Sequence, residues 1–156
     1  MAYGAVVVIG VGGMGEAIAR RQGPGHHLLI ADFNTDTLEK VAAGLRDDGF
    51  EVTTQQVDVS DAASVQALAD ASTELGHVRQ VIHTAGLSPV QATVDAILKV
   101  DLLGVALTLD AFGRVVARGG AGVVIASMAG TMAQGRFPAE MESALARFPH
   151  IDVVYA

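Results

Sequence analysis

The chain lacks cysteine and tryptophan, and only two of its 156 residues are lysine, Lys40 and Lys99. Without cysteine there can be no disulfide and no thiolate metal site, while the redox compartment is left open. The five histidines fall in no metal-ligand spacing, so no metal is expected. Apolar runs stop well short of the roughly 18 residues that a membrane span requires. No basic stretch precedes an apolar one at the N-terminus, so no targeting segment is read there and the chain is expected to be soluble and cytoplasmic. Ten Lys+Arg residues against seventeen Asp+Glu leave a net charge of -7 with no basic cluster, which argues against a nucleic-acid surface.

What the chain does have is apolar bulk: 51% hydrophobic residues against 17% charged. That balance suits an α/β domain whose strands are covered on both faces. The stretch Ala5-Val-Val-Val-Ile-Gly-Val-Gly-Gly-Met-Gly-Glu-Ala-Ile-Ala-Arg20 organises the rest, reading as a buried strand, a glycine turn and a helix start. Within it Gly10, Gly12 and Gly15 form G-x-G-x-x-G, with Gly13 a fourth glycine. A strand before and a helix after are the context in which this pattern binds a dinucleotide. The first glycine permits the turn, the second lets backbone approach a pyrophosphate, and the third packs helix against strand. The helix N-terminus then offers N–H groups and a positive dipole end to the phosphates.

Further along, helical residues run from about Met14 to Gln22, and Gly23-Pro24-Gly25 stops them. His26 to Ala31 reads as a second strand with Asp32 at its end. Asn34-Thr35-Asp36 caps a helix with Leu38, Val41, Ala42 and Leu45 as its buried stripe. Glu51 to Val57 is a third strand closing on Asp58-Val59. Ser60-Asp61 caps a helix buried through Val65, Leu68, Ala69, Ser72 and Leu75, and Val78 to His83 is a fourth strand. A long helical region is expected from about Val90 to Ala117, interrupted near Val100 and broken by Gly119 to Gly122. Val123 to Ala126 then reads as the fifth strand. This alternation predicts a Rossmann-type doubly wound parallel sheet of order 3-2-1-4-5, with the pattern stopping after the fifth strand. Residues 1–156 read as a single domain whose 127–156 segment is weakly patterned: a loop from Met128 to Pro138, a short helix from Ala139 to Phe148 and a strand-like Ile151 to Tyr155.

Open α/β sheets bind ligands at the carboxyl ends of their strands. Asp32 stands about 20 residues beyond the glycine turn, where a carboxylate accepts bonds from the adenosine ribose hydroxyls. It would repel a 2′-phosphate, and no arginine follows in Asp32-Phe33-Asn34, so NAD is expected over NADP. Asp58 could reach the adenine edge or could simply order its loop. His83, flanked by apolar residues, reads as a satisfied core histidine, and His26-His27 as a solvent-edge pair. Ser127 ends the fifth strand, where its hydroxyl could meet a substrate oxygen or cap a turn. Asp101 lies in the apolar run Val100-Asp-Leu-Leu-Gly-Val105 and shares a helix face with Gly104 and Thr108, so it is either functional or bound to nearby backbone.

Together these residues resemble the short-chain dehydrogenase/reductase family from about Val6 to Gly130. Gly10-Val-Gly-Gly-Met14-Gly15 is similar to that family's glycine turn with one residue fewer. Asp32-Phe33 resembles the acidic position of its NAD-preferring members, and Asp58-Val59 its adenine-contacting pair. His83-Thr84-Ala85-Gly86 stands where the family has NNAG. Lys99-Val-Asp101-Leu-Leu-Gly104 resembles N-x-x-G, and Val124-Ile-Ala-Ser127-Met-Ala-Gly130 the strand and loop carrying the catalytic serine. The resemblance implies NAD-dependent hydride transfer on a small alcohol or carbonyl substrate. Ser127 would orient the substrate oxygen, Tyr155 would be the acid/base, and Asp101 would support a water relay. It implies homodimers or homotetramers through long helices, and the apolar surface of the Leu98 to Val116 helix would suit one. The sequence departs from the family at Glu140, where its tyrosine would stand; Tyr155-Ala156 could begin YxxxK after an insertion, but the sequence ends before the lysine could appear. A non-catalytic NAD-binding module or subunit is therefore the alternative.

Overall fold

The computed structural model describes residues 4–133 and 135–146. Tyr155 and the strand-like 151–155 stretch lie outside the described residues.

Five strands form one sheet of order β3-β2-β1-β4-β5, all parallel. They are β1 (Ala5–Ile9), β2 (His27–Asp32), β3 (Glu51–Gln56), β4 (Val78–His83) and β5 (Val116–Val124). The helices between them are α1 (Met14–Gln22), α2 (Thr35–Asp47), α3 (Ala62–Glu74), α4 (Val94–Ile97) and α5 (Gly104–Gly113). Short α6 (Met128–Met132) and α7 (Ala139–Ala146) follow β5. Parallel neighbours need crossovers, and right-handed helical ones place helices on both sheet faces.

The consequence for β1 is burial on every side chain from Ala5 to Ile9. Val7 and Ile9 pack on one face with Leu29, Val65, Leu68 and Phe112, whereas Val6 and Val8 pack on the other with Leu28, Ile30, Leu38 and Leu45. Each fully buried Val, Leu or Ile contributes about 1.5–3 kcal/mol relative to exposure. The stripe Leu38, Val41, Ala42 and Leu45 is buried as its spacing predicts, and so are Val65, Leu68, Ala69 and Ser72. The caps hold too: the Asn34 side chain accepts from the Thr37 amide, and Asp61 from the Ala63 amide.

The region after β4 differs from expectation. The long helix is three pieces, α4, a π-helical turn (Leu98–Leu103) and α5, and it ends at Gly113 rather than near Ala117. The fifth strand begins at Val116, seven residues before the expected Val123, and runs through the glycines that were read as a break. Gly119 takes a positive φ of 78°, and a Cβ on Gly120 would lie 2.9 Å from the Arg79 carbonyl oxygen. The ladder to β4 shifts register there, between Val78 and Gln80. The glycines thus make an irregularity inside an edge strand, which glycine permits and which periodicity does not reveal. Met128–Met132 is also a helical turn where a loop was expected.

Candidate functional site

The strand order reverses between β1 and β4, and the crevice outside their carboxyl ends is the expected ligand position. A cleft of about 540 Å³ lies there, lined by Gly10, Gly12, Asp32, Phe33, Asp58, Val59, Thr84, Ala85 and Gly86 among others.

The glycine turn is built by backbone constraints. Gly10 has φ 88°, and a Cβ on it would sit 2.5 Å from the Ala85 amide nitrogen. A Cβ on Gly15 would overlap the Gly10 carbonyl oxygen, so only glycine lets α1 start this close to β1. At Gly12 and Gly13 the opposite holds: a Cβ would meet nothing within 4 Å. Gly13 is the N-cap of α1 and has no side chain to bond the helix's first amides. Bare backbone facing open space at a helix N-terminus fits a pyrophosphate.

Asp32 is held in place by two backbone amides. Val11 N–H donates to its Oδ2 at 2.8 Å and Asn34 N–H to its Oδ1 at 2.9 Å. Asp58 Oδ1 accepts both the amide and the hydroxyl of Ser60, at 2.9 and 2.7 Å, so that carboxylate orders its own loop while lining the cleft. Thr84 donates its hydroxyl to the Ile9 and Gly10 carbonyl oxygens, joining the wall after β4 to the glycine turn.

Other expected site residues stand outside the cleft lining: Gly13, Met14, Gly15, Asp101 and Ser127. Met14 is exposed just beyond the turn. Asp101, on the π-helical turn, accepts the Leu87 amide at 2.8 Å, which realises the backbone-bound alternative. Ser127 is exposed, and its Oγ accepts the Ala129 amide at 3.1 Å at the start of α6. Tyr155 is outside the described residues.

Sequence reasoning missed Val57, Ser60, Leu87, Ala96, Lys99 and Val100, which also line the cleft. Ala96, Lys99 and Val100 recur at i, i+3 and i+4, a spacing that could have marked one face of the region. Lys99 Nζ lies 2.9 Å from Asp95 Oδ2, both well exposed, a pair worth at most about 1 kcal/mol. His83 is a core residue as expected, but it is not satisfied: among the described residues neither ring nitrogen has a hydrogen-bond partner. Burial lowers its pKa, opposed by the Ala85 backbone and the Asp101 charge. No group of three or more His, Cys, Asp or Glu able to hold a metal occurs among the described residues.

A doubly wound sheet with a glycine turn and an acidic β2 end defines a dinucleotide-binding class of protein. Within that class, the family model described as short chain dehydrogenase matches residues 4–139. A short-chain dehydrogenase/reductase, bsc3, of Alternaria brassicicola is 44% identical over 135 residues, covering 86% of this chain and 49% of its own length. The D-threitol dehydrogenase of Mycolicibacterium smegmatis is 34% identical, covering 83% and 54%. A crystal structure of a short-chain dehydrogenase/reductase from Burkholderia phymatum in complex with NAD is 30% identical, with TM-score 0.74 over 83% of this chain and 50% of that one. The chain belongs to the short-chain dehydrogenase/reductase family. It spans about half the length of the curated relatives it matches.

Proposed function

We propose that this chain is the dinucleotide-binding domain, over 1–156, of an oxidoreductase that uses NAD(H) on a small alcohol or carbonyl substrate. The observation that carries the reading is the Asp32 carboxylate, held by the Val11 and Asn34 amides beside a glycine turn whose Gly12 and Gly13 face open space. The NAD complex of the Burkholderia phymatum relative supports it.

Asp32 accepts the adenosine ribose hydroxyls, each charged hydrogen bond contributing about 1.5–3 kcal/mol, and repels a 2′-phosphate. Phe33, Asp58 and Val59 enclose the adenine end. Gly10, Gly12, Gly13, Met14 and Gly15 receive the pyrophosphate, and Thr84, Ala85 and Gly86 wall the cleft beside them. When bound, the nicotinamide supplies the carbon that carries the hydride. Ser127 orients the substrate oxygen, Tyr155 moves the proton, and Asp101 acts through the Leu87 backbone it holds.

Calorimetric titration tests the reading, with NADH expected to bind more tightly than NADPH. A tighter NADPH would overturn the Asp32 assignment, and no binding of either at millimolar concentration would overturn the dinucleotide site. A second reading is a non-catalytic NAD-binding module, favoured by the Ser127 hydroxyl already serving to cap α6. Binding without turnover on a panel of alcohols and carbonyls would select it. The proposal extends to a cytoplasmic protein forming homodimers or homotetramers through the exposed Val94, Leu98 and Leu103, which light scattering on the purified chain would test. No helix of the described residues is long and apolar enough to cross a membrane.

A further inference from the structure

The cleft wall 84–87 is held at both ends. Thr84 and Ala85 donate their amides to the Ile9 carbonyl oxygen at 2.8 and 3.0 Å. At the far end the Leu87 amide donates to Asp101 Oδ1 at 2.8 Å. Immediately before this wall stands His83, 1% exposed, in register with Ile9 of β1 and Val124 of β5. Strand alternation puts its ring on the Val81 face, the face that Ile9 and Phe112 also share.

Nothing in the proposed function uses this imidazole, yet among the described residues neither ring nitrogen makes a well-formed hydrogen bond, and the polar groups that act on it are the Ala85 backbone and the Asp101 carboxylate. A buried polar group left that way costs about 1–3 kcal/mol, so its persistence calls for a reason. From β1 and β5 it meets the apolar register partners Ile9 and Val124. The buried polar residues of α3 and α5, Ser72 and Thr108, give their hydroxyls to the Ala69 and Gly104 carbonyl oxygens of their own helices. Two neighbours favour its charged form, the Ala85 backbone and the Asp101 carboxylate, and burial outweighs them. Asp101 is thus both the charge that acts on His83 and the group that holds Leu87.

We propose that His83 is a positioning residue for the cleft wall: neutral, it leaves Asp101 to hold the Leu87 amide, and as imidazolium it draws the carboxylate to itself. Proton uptake from solvent then releases Leu87 and weakens dinucleotide binding in acid. His26, His27 and His77 stand at the opposite edge of the sheet, before or at the starts of β2 and β4. Among the described residues, His83 is therefore the histidine placed to couple pH to the cleft. The inference rests on the dinucleotide reading only through its choice of NADH as probe.

The test is NADH affinity, by fluorescence titration, at pH 7.5 and 5.5, a window above the ordinary carboxylate range. Exchange protection of the Leu87 amide is measured alongside it in the free protein. The wild-type dissociation constant is expected to rise in acid, by less than about tenfold because burial holds His83 below its ordinary value, with Leu87 protection falling alongside it. His83→Asn, a non-titrating residue that the family resemblance places at this position, should lose both responses. A wild-type affinity that is flat or tighter in acid overturns the proposal, as does an undiminished acid loss in His83→Asn. Should that variant not fold, Asp101→Asn decides: it keeps an acceptor for Leu87 but no charge for an imidazolium. Acid loss of Leu87 protection in Asp101→Asn equal to wild type overturns the proposal. If NADH binds at neither pH the dinucleotide reading fails, while Leu87 protection still decides the role of His83.

Discussion

The four glycines of residues 10–15 serve different ends, and substituting them one at a time separates packing from binding. A methyl at Gly12 enters open space and strains no backbone, so Gly12→Ala should leave the urea midpoint nearly unchanged. It should nevertheless weaken NADH at least about tenfold, because the methyl occupies the room a pyrophosphate needs. Gly15→Ala drives a methyl into the Gly10 carbonyl, and overpacking of that kind costs about 1–3 kcal/mol, visible as a lower midpoint before any ligand is added. Equal stability losses in both variants would mean that Gly12 is a packing residue. Asp32→Asn keeps the shape and an acceptor but removes the charge. NADH should weaken by about tenfold or more and the NADH/NADPH ratio should fall, as read by paired titrations. At this scale the cofactor end was legible, because turn geometry and charge placement depend on residue type and local spacing. His83 was not legible as an unsatisfied group. Its burial could be read from its neighbours, but whether a partner reaches its ring depends on Asp101 and Ala85, which meet it only after folding.

Elements were readable where local signals agreed. For α2, the Asn34 cap and the 3.6-residue stripe both point to the same helix, and Asn34→Ala should cost about 1 kcal/mol through the lost bond to the Thr37 amide, measured by urea denaturation. For β5 the signals conflicted. Four glycine or alanine residues, Gly119 to Gly122, look like a break, yet parallel pairing with β4 supplies the hydrogen bonds that local propensity does not. Gly120→Val tests that account: its side chain would meet Val116 and the Arg79 backbone at under 3 Å, so the protein should be destabilised. The same change in a flexible break would be neutral. The π-helical turn was equally hidden, since the apolar run Val100 to Val105 is compatible with any helical winding. That turn matters because Lys99 and Val100 line the cleft while Asp101 holds its wall.

For the whole molecule, the strand order followed from βαβ alternation and crossover handedness together with the glycine turn that marks the Rossmann arrangement, so topology was legible without any contact being known. The acid response was not, because it depends on one buried group against the unfolded chain. His83 has its folded pKa lowered from 6.5, chiefly by burial. The unfolded chain therefore binds this proton at a pH where the native chain does not, and stability falls as pH drops below about 6.5 until the folded value is reached. Above that window the group contributes no slope. The melting temperature of the wild type should accordingly fall more steeply between pH 7 and pH 5 than that of His83→Asn, in which the titrating group is gone. The comparison is made as a difference between the two proteins, which removes whatever is common to both. Parallel melting curves over that range would show that the imidazole charges as readily in the fold as outside it, and that the apolar face around Ile9, Val81 and Phe112 does not exclude water from it.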